Sequence, residues 1–306
     1  MTQAIGVDLG GTKTAVALVS SDGVLGEVVT APTPAAEGGE AVLDVVANLV
    51  RQVLTDDVVG IGIGTAGVVD ATTGMVISST DTFRDWVGTD VPAGLRARLG
   101  WGPERRVAVL NDVDAHAVGE FHHGAAREVE SLLMVAVGTG VGGALVLDGQ
   151  LRTGARSVAG EIGHIPTPGA DNLRCPCGRL GHLEAIAAGP AIERQYAALG
   201  GGEASGREVM ERAAHHDDDA LDVVKRAAVA LGKAIAGVVT TLDPAAVVIG
   251  GGVAEAGPVW WLPLRETIRN EVVSVLADVP VLKAQLGNSA ALVGAAAHVL
   301  ASEEVS

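Results

Sequence analysis

The fold of this chain is limited above all by a sequence pattern that occurs twice. In each copy, an apolar strand is followed by a glycine-rich turn and a second apolar strand. In the first copy, the apolar run 4–9 breaks at Gly10 and resumes at Ala15. In the second copy, the apolar run 132–137 breaks at the glycine-rich segment 138–143. Glycine lets the backbone approach a ligand closely, and the N–H groups of such a turn can bind an anion. The repeat predicts an α/β protein with one anion-binding turn in each half.

The first turn carries donors and a carboxylate that suit a polyphosphate and its metal ion. We predict that it binds nucleotide through Asp8, Gly10, Gly11, Thr12, Lys13 and Thr14. Asp8 stands at the end of the strand, and a carboxylate there can hold hydrated Mg²⁺. Taken alone, the segment is equally consistent with an ordinary hairpin turn whose lysine points into solvent. The second turn, with Gly138, Thr139 and Gly140, favours the binding of one polyphosphate by both turns.

Other glycine patterns show which of the common nucleotide-binding folds the sequence does not match. The segments 62–67 and 138–143 match G-x-G-x-x-G, but neither is followed by a helical pattern, so a dinucleotide-binding βαβ unit is rejected. The sequence also lacks G-x-x-x-x-G-K-[ST], which excludes a P-loop. A third cluster, residues 250–252, follows an apolar strand. Its Gly251 and Gly252 suit the close approach of a nucleoside base or ribose.

Composition excludes several classes of partner. The 306 residues include 21 basic and 37 acidic side chains, a net charge of −16, whereas a nucleic-acid binder needs a basic face. Aromatic residues make up only 2% of the chain, so stacking platforms for bases are not expected. The uncharged segment 131–147 is interrupted by glycines and is shorter than the roughly 20 residues of a membrane-spanning helix. With two cysteines and no signal-peptide pattern, we expect a cytoplasmic protein that binds neither nucleic acid nor membrane.

Several short motifs follow one another along nearly the whole chain. They are the segments 8–14, 64–70, 110–112, 138–143, 161–164, 175–184 and 248–252. In this combination and order the sequence resembles the ROK family (repressor, open reading frame, kinase) of the actin-like ATPase and sugar-kinase superfamily. The resemblance implies an α/β, two-lobed actin-like ATPase (ribonuclease H-like) fold with an interdomain cleft. The small lobe would comprise residues 1–112 and 291–306, and the large lobe residues 113–290.

The same resemblance implies an ATP-dependent hexose kinase that transfers the γ-phosphoryl group of ATP to the 6-hydroxyl of the sugar. Asp112 resembles the general base of the family, and in-line attack requires a carboxylate within hydrogen-bond reach of the attacking hydroxyl. The implied sugar ligands are Gly67, Asn111, Asp112, Glu161, His164 and Glu184. A simpler alternative for Asn111 and Asp112 is an N-cap pair at the start of a helix.

The segment around the two cysteines carries four nitrogen and sulfur donors, a composition that suits tetrahedral zinc. These donors are His164, Cys175, Cys177 and His182. The family pattern has a third cysteine where this chain has His182, and a histidine can coordinate zinc in its place. We therefore expect one structural Zn²⁺, besides the Mg²⁺ that accompanies ATP. The alternative is a metal-free loop with two free thiols.

The identity of the sugar is less constrained than the reaction. Glucose is favoured by the glucose-like pattern of the implied sugar ligands, with N-acetylglucosamine or N-acetylmannosamine as alternatives. Many glucokinases of the family carry an Asn-Leu pair four residues before a tryptophan, and Thr82 and Phe83 stand there in this chain. A sugar-responsive transcriptional regulator of the family would carry an N-terminal helix-turn-helix domain, whereas the first turn here begins by Asp8. We expect hexose and ATP as ligands, and a homodimer or homotetramer.

Overall fold

The computed structural model describes residues 2–79 and 83–301, and within them the chain forms two compact units. Unit 1 takes its described residues from the segments 1–128, 149–159 and 285–306, and unit 2 from the segments 129–148 and 160–284. Unit 1 is therefore assembled from three separate parts of the chain, whereas unit 2 is nearly continuous. None of the described helices is both long enough and apolar enough to cross a bilayer.

The first segment of unit 1 mixes strands and helices. Its elements are β1 (Gln3–Leu9), β2 (Lys13–Ser20), β3 (Val29–Pro32), α1 (Gly39–Val53), β4 (Val58–Thr65), β5 (Val68–Val69), β6 (Val76–Ser78), α2 (Val91–Leu99), β7 (Arg106–Asn111) and α3 (Asp112–His123). Five of the strands form a sheet in the order β3-β2-β1-β4-β7. β2 pairs antiparallel with β1 and β3, while β1, β4 and β7 run parallel. The segments that follow the three parallel strands therefore begin at one edge of the sheet.

Unit 2 repeats this arrangement. The remaining elements in chain order are β8 (Leu132–Val137), β9 (Val141–Leu147), β10 (Gln150–Leu151), α4 (Glu184–Ala187), α5 (Gly189–Ala198), α6 (Gly206–Ala214), α7 (Asp218–Leu242), β11 (Ala246–Gly250), α8 (Pro258–Glu271), β12 (Val281–Lys283) and α9 (Ala290–Ala301). All of them belong to unit 2 except β10 and α9, which lie in segments of unit 1. In unit 2, β8 pairs antiparallel with β9 and parallel with β11, which pairs parallel with β12. The predicted α/β class and its repeated strand, glycine turn and strand are confirmed.

Helix α9 covers the first sheet over β1 and β4, and glycines on those strands let it approach closely. A Cβ atom on Gly6 would overlap the carbonyl oxygen of Leu292, and one on Gly62 would overlap that of Ala295. Residues 290–297 of the helix are all buried. The atoms that a Cβ at these two positions would meet belong to the backbone of α9, which cannot rotate away as a side chain can. Larger residues at these glycines would therefore push the helix away from the sheet.

Helix α3 is fixed at its C-terminal end by a buried carboxylate. Glu120 has no solvent exposure. Its oxygens accept hydrogen bonds from the backbone N–H groups of Ala125 at 2.8 Å, Gln285 at 2.9 Å and Leu286 at 2.8 Å. A buried carboxylate is costly unless it has such donors, and three of them stabilise it here. Glu120 thereby ties α3 to the segment in which the chain returns to unit 1.

The lobe boundaries predicted from the sequence, at residues 112 and 291, stay a prediction. The residue ranges of the two compact units differ from those of the predicted lobes, because α3 packs against α9 within unit 1. The contact depends on paired small residues: a Cβ atom on Gly294 would overlap the carbonyl oxygen of Ala115. Helix α3 therefore groups with the sheet of unit 1, although the predicted large lobe begins with it.

The apolar run 24–29 predicts a third strand after β2, and the structure has a third strand that begins later. Leu25 makes an isolated bridge with Val19, and regular pairing with β2 begins at Val29. Leu25 and Val29 pack against the core, whereas Val24 is 62% exposed and Val28 is 41% exposed. The predicted strand is therefore displaced toward Pro32.

Candidate active site

The first glycine turn connects β1 to β2 and is braced by Thr33. The Thr33 hydroxyl donates a hydrogen bond to the carbonyl oxygen of Gly10 at 2.7 Å and lies 2.8 Å from the hydroxyl of Thr14. The Thr33 N–H donates to the carbonyl oxygen of Thr12 at 3.0 Å. Thr14 is fully buried, whereas Thr12 and Lys13 are exposed. Because Thr33 engages carbonyl oxygens of the turn, the exposed part of the turn presents groups that suit an anion.

The register of the sheet brings two predicted acidic residues to one edge. Leu9 of β1 pairs with Thr65 of β4, and Thr65 pairs with Asn111 of β7. Asp8 stands one residue before this row, and Asp112 one residue after it. Both lie at the carboxyl edge of the parallel strands, where open α/β sheets bind their ligands.

The environment of the two carboxyl groups changes their acidity. Burial raises the pKa of Asp8, and the charge of Asp112 adds to this increase, while His116 and Lys13 oppose it. Burial also raises the pKa of Asp112, against the opposing charge of His116 and the hydrogen bond from the N–H of Val113, which is 2.9 Å long. A carboxylate pair of this kind suits a hydrated divalent cation at one member and a base at the other.

His116 belongs to this site, although the sequence analysis did not identify it. It lies one helical turn after Asp112 on α3. Burial is the larger influence on both acids, but the charge of His116 lowers the pKa of Asp8 and of Asp112. The available signal was its spacing, because residues four apart on a helix are neighbours.

Asn111 has two structural tasks at the start of α3. Its Oδ1 accepts a hydrogen bond from the N–H of Val113 at 2.8 Å, which caps the helix, and its Nδ2 donates to the carbonyl oxygen of Gly67 at 2.9 Å. Gly67 has a φ of +102°, and a Cβ atom there would lie 2.6 Å from the carbonyl oxygen of Ser78. The N-cap interpretation is confirmed, and the same side chain holds the Gly67 loop beside Asp112.

The second glycine turn lines a cavity of about 820 Å³ in unit 2. Gly138 and Thr139 line it together with Gly252, so three predicted nucleotide ligands meet there. Gly251 has a φ of +88°, and a Cβ atom on it would overlap the carbonyl oxygen of Val137. The volume falls within the roughly 300–1,000 Å³ that is usual for small-molecule sites. The geometry therefore supports a nucleoside site bordered by the second and third glycine clusters.

Another part of the cavity wall comes from the first turns of α5 and α6, which sequence reasoning did not connect with the nucleotide. The residues concerned are Pro190, Glu193, Ser205, Gly206, Arg207 and Met210. Ser205 and Glu208 form a capping box, in which each side chain accepts a hydrogen bond from the backbone N–H of the other residue. The Ser-x-x-Glu spacing was the sequence signal for this helix start.

The three predicted sugar ligands of unit 2 lie beside the cysteine loop. Oε2 of Glu161 is 3.8 Å from Nε2 of His164, and each of these side chains is 39% exposed. The Glu184 carboxylate instead accepts a hydrogen bond from the N–H of Val141 at 2.9 Å. Its other oxygen lies 3.9 Å from Sγ of Cys175. Glu161 and His164 are therefore partly exposed to solvent, and Glu184 is tied to the backbone of Val141.

The four predicted metal donors come together. Ligand atoms of His164, Cys175, Cys177 and His182 all lie within 4.8 Å of one another. Nδ1 of His164 is 3.7 Å from Sγ of Cys175, and Sγ of Cys177 is 3.3 Å from Nδ1 of His182. Bond lengths of about 2.0–2.3 Å place tetrahedral zinc ligands about 3.3–3.8 Å apart, so both pairs fit. Burial raises the pKa of the Cys175 thiol to about 11, and a bound cation would have to displace that proton.

Thr82 and Phe83 stand where many glucokinases of the family carry an Asn-Leu pair near the sugar. Thr82 lies outside the described residues. Phe83 is buried, and its ring stacks on that of Trp86 with the centroids 5.3 Å apart. Both rings belong to the hydrophobic core of unit 1. Phe83 therefore contributes to packing rather than to a polar ligand site.

Known proteins are similar in sequence to this chain over nearly its whole length. The sequence model of the ROK family matches residues 4–302. This chain belongs to the ROK family. A glucokinase of Thermotoga maritima is 33% identical to it over 96% of both chains. An N-acetylmannosamine kinase of Escherichia coli O157:H7 is 31% identical over 95% of this chain and 96% of its own.

A solved structure of the family gives the same result for the fold. The ROK glucokinase of Streptomyces griseus, crystallised with glucose and AMPPNP, matches with a TM-score of 0.78 at 32% identity. The match covers 96% of this chain and 98% of that chain. The fold is therefore the two-lobed actin-like ATPase fold, and the family and fold predicted from the sequence are confirmed.

Proposed function

We propose that this ROK protein is an ATP-dependent hexose kinase that transfers the γ-phosphoryl group of ATP to the 6-hydroxyl of a hexose, with glucose favoured. The observation that carries the proposal is the meeting of Asp8 and Asp112 at one sheet edge. Phosphoryl transfer requires a carboxylate that holds Mg²⁺ and a carboxylate that receives the hydroxyl proton. The glucose and AMPPNP bound to the Streptomyces griseus relative support the same two substrate classes.

Asp112 is the general base of the proposed reaction. It accepts the proton of the sugar 6-hydroxyl as the hydroxyl oxygen attacks the γ-phosphorus. The bond between the γ-phosphorus and the β,γ-bridging oxygen breaks, and ADP leaves with that oxygen. Burial raises its pKa and makes it a stronger base, while His116 and the N–H of Val113 favour its ionised form. Asn111 keeps the Gly67 loop beside Asp112, so the loop backbone is positioned to bind the sugar.

The first turn binds phosphate through the N–H group of Gly11, the hydroxyl of Thr12 and the charge of Lys13. The N–H of Gly10 donates to the carbonyl oxygen of Lys13 at 3.1 Å, so Gly10 closes the turn. Thr14 acts indirectly, because its buried hydroxyl holds the turn through Thr33. Asp8 holds Mg²⁺ through water, and the bound ion neutralises charge on the transferring phosphoryl group.

The second turn provides the backbone N–H groups of Thr139 and Gly140 as donors in unit 2, while the N–H of Gly138 closes the turn on the carbonyl oxygen of Gly140. The nucleoside lies in the 820 Å³ cavity against Gly252, and Gly251 lets the adjoining backbone pack against Val137. The charge of this cavity supports ATP rather than polyphosphate as donor. Its lining includes three carboxylates and one guanidinium, from Glu193, Glu211, Glu255 and Arg207. A long polyanion would be repelled by the carboxylates, whereas a nucleoside carries no charge of its own.

The four-donor cluster binds one structural Zn²⁺ in this proposal. His182 takes the place of the cysteine in the family pattern, and its Nδ1 lies 3.3 Å from Sγ of Cys177. Four protein ligands leave no open position for water, so the bound ion supplies rigidity rather than a reactive group. Glu161 and His164 would then be held in place to bind sugar hydroxyls, together with Glu184.

A second candidate is an N-acetylhexosamine kinase that uses the same residues, which the Escherichia coli relative supports. A transcriptional regulator of the family is disfavoured, because a net charge of −16 opposes binding to DNA. We also propose that the protein is cytoplasmic and forms a homodimer or homotetramer. Analytical ultracentrifugation tests the oligomeric state, and a single species at the mass of one chain would contradict it.

The sugar and the donor can be tested together by measuring sugar 6-phosphate directly. Glucose, mannose, fructose, N-acetylglucosamine and N-acetylmannosamine are each supplied with ATP and Mg²⁺ or with polyphosphate and Mg²⁺. We expect the highest kcat/KM for glucose with ATP. A preference for N-acetylmannosamine would replace glucose by the second candidate, and phosphorylation of no sugar would contradict the kinase assignment.

A further inference from the structure

The second glycine turn is held at one end by a charged side chain. The Glu184 carboxylate accepts the N–H of Val141, the residue that follows the turn, at 2.9 Å. Gly140 makes room for it, because a Cβ atom there would lie 2.7 Å from Oε2 of Glu184. A hydrogen bond to an ionised acceptor is about twice as strong as a neutral one. The turn therefore has a firm attachment beneath the residues proposed to bind phosphate.

The other end of the turn is attached to the same short piece of chain. The N–H of Gly189 donates to the carbonyl oxygen of Gly138 at 2.8 Å, and Gly189 follows Glu184 by one turn of helix and a bend. The segment 184–189 therefore fixes both ends of the turn, with the N–H of Gly138 donating to the carbonyl oxygen of Gly140 between them at 2.9 Å.

The segment that holds the turn is continuous with the cysteine loop. His182, a proposed metal ligand, lies two residues before Glu184. Oε1 of Glu184 is 3.9 Å from Sγ of Cys175, a second proposed ligand. The N–H of Leu183 donates to the carbonyl oxygen of Ile165 at 3.0 Å, which joins the segment to the loop that carries His164. Order in the cysteine loop can therefore reach the turn through the Glu184 carboxylate, besides the backbone hydrogen bond of Gly189.

We propose that Glu184 is a positioning residue that holds the second glycine turn in its nucleotide-binding shape and couples it to the metal loop. The inference rests on the proposed function, since it assigns to Glu184 a task in nucleotide binding besides its proposed contact with sugar. A turn fixed before the nucleotide arrives loses less conformational entropy on binding. Metal binding at Cys175 and His182 then strengthens nucleotide binding, although neither residue lines the nucleoside cavity.

The first test examines the turn without any ligand. Hydrogen exchange of a peptide covering residues 138–142 is compared among wild type, Glu184→Ala and Glu184→Gln. Asp171→Ala is the matched control, because Asp171 lies in the same loop and its carboxylate accepts a backbone N–H, that of Gly169, at 3.2 Å. We expect exchange to rise about tenfold in Glu184→Ala, less in Glu184→Gln, and to stay at the wild-type rate in Asp171→Ala. Equal exchange in all four proteins would overturn the proposal, whether or not the protein is a kinase.

The second test measures the dissociation constant of AMPPNP with Mg²⁺ by calorimetry in the absence of sugar, which removes the contact of Glu184 with sugar from the result. We expect Glu184→Ala to bind about tenfold more weakly and Asp171→Ala to bind within twofold of wild type. A residue that acted on sugar alone would leave nucleotide affinity unchanged and raise only the sugar dissociation constant, and that result would refute a positioning role.

The coupling to metal is tested by repeating both measurements on zinc-loaded and chelator-treated protein. In wild type, removal of the metal should raise exchange over residues 138–142 and weaken AMPPNP binding about fivefold. In Glu184→Ala the same treatment should change either quantity by less than twofold, because the carboxylate connection is lost and the backbone hydrogen bond of Gly189 remains. Equal metal effects in both proteins, or none in wild type, would show that Glu184 does not transmit them. Failure of sugar phosphorylation by wild type contradicts the proposed function instead.

Discussion

The side-chain amide of Asn111 reaches across a loop to the backbone of Gly67, with 2.9 Å between its Nδ2 and the carbonyl oxygen. The other end of the same amide caps the helix that begins with Asp112. One planar group therefore sets the distance between a loop proposed to bind sugar and the proposed base. Its two tasks can be separated, because the cap requires only an acceptor and the contact with Gly67 requires a donor.

Asn111→Ser should keep a capping oxygen and lose the contact with Gly67, whereas Asn111→Ala loses both. We expect both variants to raise the KM for sugar about tenfold, since the loop is no longer held. Only Asn111→Ala should also lower the free energy of unfolding, by about 1 kcal/mol. Steady-state kinetics and urea denaturation measure the two effects, and a normal sugar KM in both variants would contradict the role given to the amide.

Asp112→Asn should leave sugar affinity near the wild-type value and lower kcat by about 10²-fold or more, from loss of the base. The amide has almost the same shape and can still accept the N–H of Val113. Sugar binding is measured by calorimetry and turnover by release of sugar phosphate. Turnover within a few-fold of wild type would remove Asp112 from the role of base.

His116→Ala should move the acidic limb of the pH profile of kcat/KM to higher pH. Burial raises the pKa of Asp112, and the charge of His116 opposes that increase. Without the histidine the pKa of Asp112 rises further, so the base becomes protonated at a higher pH as the solution is acidified. Initial rates between pH 5 and pH 8 locate the limb. A limb at the wild-type position would show that His116 exerts no electrostatic effect on the base.

His182→Cys should retain one zinc per chain, because a thiolate fits the same tetrahedral position, and His182→Ala should lose most of it. Elemental analysis of protein prepared without a histidine tag gives the stoichiometry. The thermal stability of His182→Ala should fall to that of chelator-treated wild type. Wild-type protein without zinc, and with full activity after chelation, would leave Cys175 and Cys177 as ordinary thiols.

His298 should make the protein less stable in mild acid. Burial, together with the charges of Arg106 and His122, lowers the pKa of His298 from 6.5 to about 4. In the unfolded chain, the His298 side chain gains a proton below pH 6.5. In the folded chain, the same side chain stays neutral until about pH 4. The free energy of unfolding should therefore fall across this window, by at most about 3 kcal/mol.

Urea denaturation between pH 4 and pH 8 tests this prediction. His298→Leu should flatten the dependence on pH, because the side chain can no longer gain a proton in either state. His215→Gln is the control, since His215 is exposed at the C-cap position that follows α6. A wild-type dependence that persists in His298→Leu would assign the acid sensitivity to other groups.

The glycine turns and the acidic residues at strand ends were predictable because their signals are local. A glycine-rich break between two apolar runs needs no distant partner to be recognised, and the residue after a buried parallel strand lies at the ligand-binding edge by geometry alone. The metal donors were found for a similar reason, since all four occur within nineteen consecutive residues, from His164 to His182.

Features that depend on distant contacts were missed. His116 acts on Asp112 through their spacing on α3, but its effect on Asp8 exists because the sheet brings Asp8 to the start of α3. Glu120 reads as one more acid on a helix, and its partners Gln285 and Leu286 stand more than 160 positions away. The glycine turn itself showed where phosphate could bind but not that Glu184 supports it.

The position of α9 sets an order for events during synthesis. The first sheet is complete in sequence once β7 has been made, yet its face over Gly6 and Gly62 stays uncovered until residues 290–297 have left the ribosome. Unit 2 is nearly continuous in sequence, so it can fold before α9 has been synthesised and can cover the N-terminal sheet. A nascent chain shorter than about 290 residues should therefore depend on chaperones that shield apolar sheet surface, and C-terminal truncations should aggregate through the half that is made first.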